Sequence, residues 1–263
     1  MIDGALGNQT RRYRATIAYD GTGYHGFQRQ TNASPTIQGA LEAALERITR
    51  QRVGVIGAGR TDAGVHATGQ VIAFDLTWKH APGDLKNALN ATLPDEIAVW
   101  QLQEAGPEFH PRFDATSRMY RYRLWQAPLQ DPLGRHRQWH VREPLDTMAI
   151  QRAVDHLQGE HDFASFGTPP QGPGRETRRT VYRAAWSARE ARQHEACVHE
   201  FTVEANAFLY RMVRSLVGTL REVGAGRISP AAFGDILAAA DRARSGPTAP
   251  PHGLTLVGVK YEQ

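Results

Sequence analysis

The chain of 263 residues is long enough for one large domain or two smaller ones, and its 41% hydrophobic content can supply a core. One cysteine, Cys197, excludes an internal disulfide, the start lacks the apolar stretch of a signal peptide, and no apolar run approaches a membrane span. These features point to a soluble, cytoplasmic protein. Net charge is +4 and 28 of the 31 basic residues are Arg, which fits a nucleic-acid partner and equally fits a codon bias toward Arg.

In chain order, Arg14 to Tyr19 alternates as a strand and is ended by Asp20-Gly21. Thr36 to Arg50 is expected to be helical, with Ile37, Leu41, Ala44, Leu45 and Ile48 on one face. Val53–Ile56 and Val71–Phe74 are expected strands. Pro82 to Leu93 is a helix with Pro in its first turn, and Ile97–Trp100 a strand. Met119 to Leu124 opens a second series as a strand. A helix over Leu145 to Gln158 follows, then strands over Arg179–Ser187 and Ala196–Val203 with a polar turn near Glu190–Glu195. A long helix over Ala207 to Val223, a further helix over Pro230 to Ala240 and a strand over Leu254–Val259 complete the chain.

Both series read β-α-β-β-α-β, the second with one added helix, and they share a pattern without sequence identity. The fold class is therefore α+β, with two ferredoxin-like (RRM-like) halves whose antiparallel sheets join edge to edge around a central cleft. The connection Glu104 to Arg118 is the expected junction, giving halves 1–110 and 111–263. Two loops stand out. The one over Thr22 to Ser34 mixes aromatics, amides and Arg. The one over Thr168 to Arg179 is Pro/Gly-rich and basic, either functional or a disordered surface excursion.

Between two apolar runs lies Gly57-Ala-Gly-Arg-Thr-Asp-Ala-Gly-Val-His-Ala67, which holds one carboxylate, Asp62, and one guanidinium, Arg60, among three glycines. Loop chemistry leaves Asp62 two roles, a turn former bonding its own backbone or a nucleophile. His194, Cys197 and His199 lie close in sequence, but no Cys-x-x-Cys or His-Glu-x-x-His accompanies them, so the metal signal is weak. No phosphate loop is present.

The string Gly59-Arg-Thr-Asp-Ala-Gly-Val-His66 resembles the catalytic loop of the tRNA pseudouridine synthase A family. Tyr19 to Gln30 resembles that family's N-terminal motif. Phe109-His-Pro-Arg-Phe113 with Ala115 to Tyr122 resembles its central motif. Asp162-Phe-Ala-Ser-Phe166, Ala205 to Arg214 and Gly253-Leu254 match further segments in family order.

The resemblance implies an isomerase that converts uridine to pseudouridine at positions 38, 39 and 40 in the anticodon arm of tRNA. It implies Asp62 as the nucleophile, no cofactor or metal, and a homodimer with one tRNA contacting both subunits. By matching position, Arg214 pairs with Asp62 and keeps it ionised, Tyr120 meets the target base, Leu254 belongs to the substrate site, and Arg60 fills the gap left by a flipped base. Phe109, His110, Pro111, Arg112 and Phe113, with Arg175 and Arg178, are the implied tRNA contacts.

Each assignment has a plainer reading. At ~100° per residue, Arg214 lies on the side of the helix opposite the stripe Phe208/Met212/Leu216/Leu220, which reads as a solvated face unless that polar face floors a cleft. Tyr120 could be an inward strand aromatic, Arg60 a phosphate ligand, and Phe109 and Phe113 core. A catalytically silent RNA-binding protein on the same fold is the alternative function. A nucleoside glycosidase is disfavoured, since that chemistry usually needs a second carboxylate.

Overall fold

A computed structural model describes residues 9–30, 34–168, 176–191 and 196–262. The chain forms a mixed α+β fold in two compact units, 1–116 with 256–263 and 117–255. Among the described residues no helix is long and apolar enough to cross a membrane.

In the first unit, β1 (Thr10–Tyr19) buries Tyr13, Ala15, Ile17 and Tyr19, while Arg12, Arg14, Thr16 and Ala18 stay half-buried on the other face. This is the strict alternation a pleated strand imposes. Helix α1 (Ile37–Thr49) starts where the Thr36 hydroxyl accepts from Gly39 N, and it buries Ile37, Leu41, Ala44 and Leu45. Strand β2 (Ile56–Gly57) is shorter than expected from Val53. The Val55 N–H there bonds the Glu42 carboxylate at 3.1 Å instead of a strand partner.

The remaining elements of this stretch are β3 (His66–Thr77), α2 (Pro82–Thr92) and β4 (Ile97–Glu104). Strand β1 lies between β3 and β4, antiparallel to both, from Thr10↔Thr77 to Tyr19↔Ala67 on one side. Helix α2 covers β4, and α1 packs on α2. Burying Ile17, Ile37, Leu41 and Phe74 contributes roughly 1.5–3 kcal/mol each.

In the second unit, β5 (Ala115–Gln126) pairs in parallel with the short β6 (Trp139–Val141) and antiparallel with a later strand, β9. Helix α3 (Thr147–Val154) ends in a 3₁₀ turn before β7 (Gly159–Asp162). Then come β8 (Arg178–Glu190), β9 (Cys197–Ala205), α4 (Met212–Gly224) and α5 (Pro230–Ala239). The strand order is β5-β9-β8-β7, and α3 packs on α4, α5 and β8.

The helix expected from Ala207 begins only at Met212. Asn206 Oδ1 accepts from the N–H groups of Thr180 and Ala207, and Tyr210 O accepts from Thr168 N. These bonds hold 206–210 in a non-helical course whose apolar residues pack without helical geometry.

The last strand, β10 (Leu254–Tyr261), leaves the second unit and takes its place beside β3, so the end of the chain counts with the first unit. Gly69 on β3 makes that approach possible, because a Cβ there would lie 2.1 Å from Val257 O.

Candidate active site

Asp62 sits half-buried on the loop between β2 and β3, and Arg60 beside it is exposed. The loop is fixed at both shoulders. Before Asp62, Ala58 N donates to Val71 O at 2.8 Å and Gln70 Nε2 donates to Gly59 O at 2.7 Å. After it, Val65 N donates to Asp62 O at 3.1 Å, closing a turn in which Gly64 takes φ 76°.

The 21–27 segment braces the loop from one side. Phe27 N donates to Thr61 O at 3.1 Å and Gly64 N donates to Tyr24 O at 3.3 Å. Gly21 and Gly26 carry no Cβ for a steric reason. One on Gly21 would lie 2.1 Å from Val65 O, and one on Gly26 (φ +93°) would lie 2.7 Å from Thr61 O. Beneath the loop, the buried Tyr19 hydroxyl shares a hydrogen bond of 2.8 Å with the buried Thr61 hydroxyl. Burial pushes the Tyr19 phenol up to about 12, so it remains a neutral hydrogen-bonding group.

This support is the part that residue-type reasoning did not assign. Tyr19, Gly21, Gly26 and His66 lay inside the quoted motifs, and the buried face of β1 was the available signal for Tyr19. The arrangement is a half-buried carboxylate on a rigid loop, suited to nucleophilic attack.

In the second unit, Tyr120 is buried on β5 and meets the Phe208 ring edge-on at 5.0 Å. Its neighbour Tyr122 donates to Pro250 O at 2.8 Å, and burial raises its phenol far above the ordinary range. Leu254 is buried at the start of β10.

Arg214 departs from the solvated face that the helical wheel gave. It is half-buried, its Nε donates to Ala249 O at 2.8 Å, and Ala249 N donates back to Arg214 O at 3.0 Å. The wheel failed for two reasons. Phe208 precedes the helix, and the segment 246–249 covers the polar side of α4. Gly218 lets that segment in, since a Cβ there would lie 1.6 Å from Pro247 O, and Gly246 N bonds Thr219 Oγ1 at 2.9 Å.

The 109–113 strip divides by depth. Phe109 is half-buried, with the Arg14 guanidinium 5.2 Å from its ring, and Pro111 is buried, its carbonyl accepting from Tyr261 Oη at 2.8 Å. Phe113 is 76% exposed and stacked on His110 at 4.2 Å. His110 Nδ1 accepts from the N–H groups of Arg112 and Phe113 at 3.2 Å, so the ring also fixes the turn that presents them. The core reading therefore suits Phe109 and not Phe113. Arg178 is exposed and paired with Glu160 at 2.9 Å, whereas Arg175 lies outside the described residues.

His194 also lies outside the described residues. His199 is buried between Trp186 Nε1 and Gln126 Oε1, and burial lowers its pKa. Its ring nitrogens therefore serve packing.

A family model described as tRNA pseudouridine synthase matches residues 15–114 and 153–262. The chain is 44% identical over 249 residues to tRNA pseudouridine synthase A of Moorella thermoacetica, covering 94% of this chain and 98% of that one. It is 45% identical over 251 residues to the protein of that name from Brevibacillus brevis, covering 95% and 100%. A third, from Chloroflexus aurantiacus, is 46% identical over 248 residues, covering 93% and 87%.

Proposed function

The chain belongs to the tRNA pseudouridine synthase family, and from that premise we propose that Asp62 is the nucleophile with which it works. The protein is an isomerase that converts uridine to pseudouridine in tRNA. In that reaction the N1–C1′ bond breaks, a C5–C1′ bond forms, a proton leaves C5 and N1 gains one. Nothing is consumed, so the reading needs no cofactor.

While the base turns, one fragment must be held, and a carboxylate can hold it covalently. The observation that carries the reading is the half-buried Asp62 on a loop tied at Ala58, Gly59 and Val65 and braced at Thr61. A nucleophile needs that fixity, because a small misplacement costs rate.

In the same reading, Arg214 and Leu254 belong to the substrate site, Tyr120 meets the target base and Arg60 enters the stem. Phe109 to Phe113, Arg175 and Arg178 contact tRNA. The substrate position is the anticodon arm at 38, 39 and 40, the working form is a homodimer, and the compartment is the cytoplasm. Each unit is taken as a ferredoxin-like half. The order β1-α1-β2-β3-α2-β4 supports this for the first.

Tritium release from tRNA labelled at C5 of uridine tests the nucleophile. Asp62→Asn is expected to stop release while tRNA binding and thermal melting stay near those of the parent. Turnover by that variant would overturn the assignment. Absence of turnover by the parent on any tRNA would favour a silent RNA-binding protein.

A further inference from the structure

Strands β1 and β3 pair as far as Tyr19↔Ala67, and beyond that point the ladder opens to let the Asp62 loop out. Asp20 and then Gly21 follow on one side, and His66 precedes Ala67 on the other. Gly21 is buried, so its N–H needs an acceptor. The acceptor is the imidazole of His66, itself buried, with Gly21 N donating to His66 Nδ1 at 3.1 Å.

Asp20 Oδ1 also lies 3.2 Å from the same nitrogen. That carboxylate oxygen also accepts from Thr22 N at 3.0 Å and Thr22 Oγ1 at 2.5 Å. Nδ1 can accept from the Gly21 N–H only when it carries no proton of its own, so the bond calls for that form of the ring.

The bond joins the two segments that define the site. Gly21 opens the brace that reaches Thr61 and Gly64 through Phe27 and Tyr24. His66 follows Val65, which closes the turn onto Asp62 O. Gly21 is also pressed on Val65 O, where a Cβ would lie at 2.1 Å. The ring nitrogen therefore adds to those backbone bonds a tie between the brace and the foot of the nucleophile loop.

We infer that His66 is a positioning residue for isomerisation, acting through the Gly21 N–H to hold the Asp62 loop in its reactive setting. The inference rests on Asp62 as nucleophile. It predicts a role for one atom, Nδ1, as an acceptor, and not for the size or charge of the ring.

The test compares three variants of the full-length protein in single-turnover reactions on tRNA, with Asp62→Asn alongside. His66→Phe keeps the ring and removes the acceptor. His66→Gln keeps an acceptor but sets it one bond too far out. His66→Asn places its Oδ1 near the Nδ1 position. The Phe and Gln variants are expected to lose on the order of 10²-fold in rate at saturating tRNA, the size of loss a misplaced reacting group causes. Their tRNA dissociation constants should stay within about threefold of the parent, a span of only ~0.7 kcal/mol. His66→Asn should restore most of the rate.

If His66→Asn is as slow as His66→Phe, the acceptor role is wrong. A loss confined to tRNA binding, or a wild-type rate in His66→Phe, would equally overturn the inference. Should His66→Phe fail to fold, the contrast between the Gln and Asn variants carries the same decision. Activity in Asp62→Asn would instead sink the nucleophile reading and leave the His66 rates as a separate fact.

Discussion

The Tyr19 hydroxyl lies 2.8 Å from the hydroxyl of Thr61, the residue that precedes Asp62, and both are buried. Tyr19 ends the buried face of β1, so the most regular element of the chain reaches directly into its least regular functional loop. A strand residue at fixed register can position a loop far more sharply than another loop can.

That bond makes Tyr19→Phe informative. Removing one hydroxyl leaves the buried Thr61 oxygen without this partner, at a cost of about 1 kcal/mol. The expected result is a small loss in urea stability with a larger loss in single-turnover rate, since Thr61 adjoins Asp62. An unchanged rate would show that the loop is held by its backbone bonds alone.

Tyr19 also sets an alkaline limit. Burial raises its phenol from 10.0 to about 12. A folded pKa above the unfolded one means the native state holds the proton more firmly. The contribution is whole below pH 10.0 and is lost as pH rises toward about 12. For a shift of this size that is on the order of 3 kcal/mol. Urea stability should fall steeply above that onset. Tyr19→Phe should show a shallower fall, with remaining slope from Tyr13, Tyr24 and Tyr122, which burial also raises.

Gly26 tests the brace by another route. Its φ of +93° is a conformation L side chains rarely adopt, and a Cβ would press on Thr61 O. Gly26→Ala should lose about 1–3 kcal/mol in strain or shift the loop to relieve it. Denaturation with tritium release separates the two: lost stability with normal turnover means the strain is absorbed, and lost turnover means the loop has moved.

Much of this was legible in the sequence, and the exceptions have physical causes. Period-two burial made β1 plain, and a Thr36 cap with Ile37, Leu41 and Leu45 made α1 plain. Asp62 was marked by its surrounding string. The environment of Arg214 was not legible, because the chain that covers α4 comes some thirty residues later and enters only where Gly218 lacks a side chain. The start of α4 was misplaced because apolar spacing cannot tell helix from packed loop when Asn206 takes over the backbone bonds. Strands β6 and β7 were too short to show a period.

Phe113 and Arg112 should separate stacking from charge. Phe113 is 76% exposed on a turn fixed by His110, so little in the fold depends on it. Phe113→Ala should weaken tRNA binding by roughly 5- to 150-fold, the worth of one base stacked on an aromatic ring, with melting unchanged. The salt dependence of binding should keep its slope, because stacking releases no counterion. Arg112→Ala should instead flatten that slope by about one unit. Titrations at several salt concentrations would show whether the two variants differ in this way.

Arg60 carries the sharpest prediction about the chemistry. It stands exposed two residues before Asp62, on a loop whose backbone is fixed at Ala58 and Gly59. Its side chain can therefore reach outward while its Cα stays in place. If it fills the gap left by an extruded uridine, it offsets the cost of unstacking and unpairing, a few kcal/mol for a paired base and less for an unpaired one. Arg60→Ala should then slow reaction at a paired uridine more than at the same uridine opposite a mismatch. If Arg60 only holds phosphate, both substrates should slow alike, because a phosphate contact carries no information about pairing. Single-turnover rates on a tRNA and on its mismatched variant decide between the two. Equal losses would leave Arg60 as a phosphate ligand, and a larger loss on the paired substrate would assign it to base extrusion.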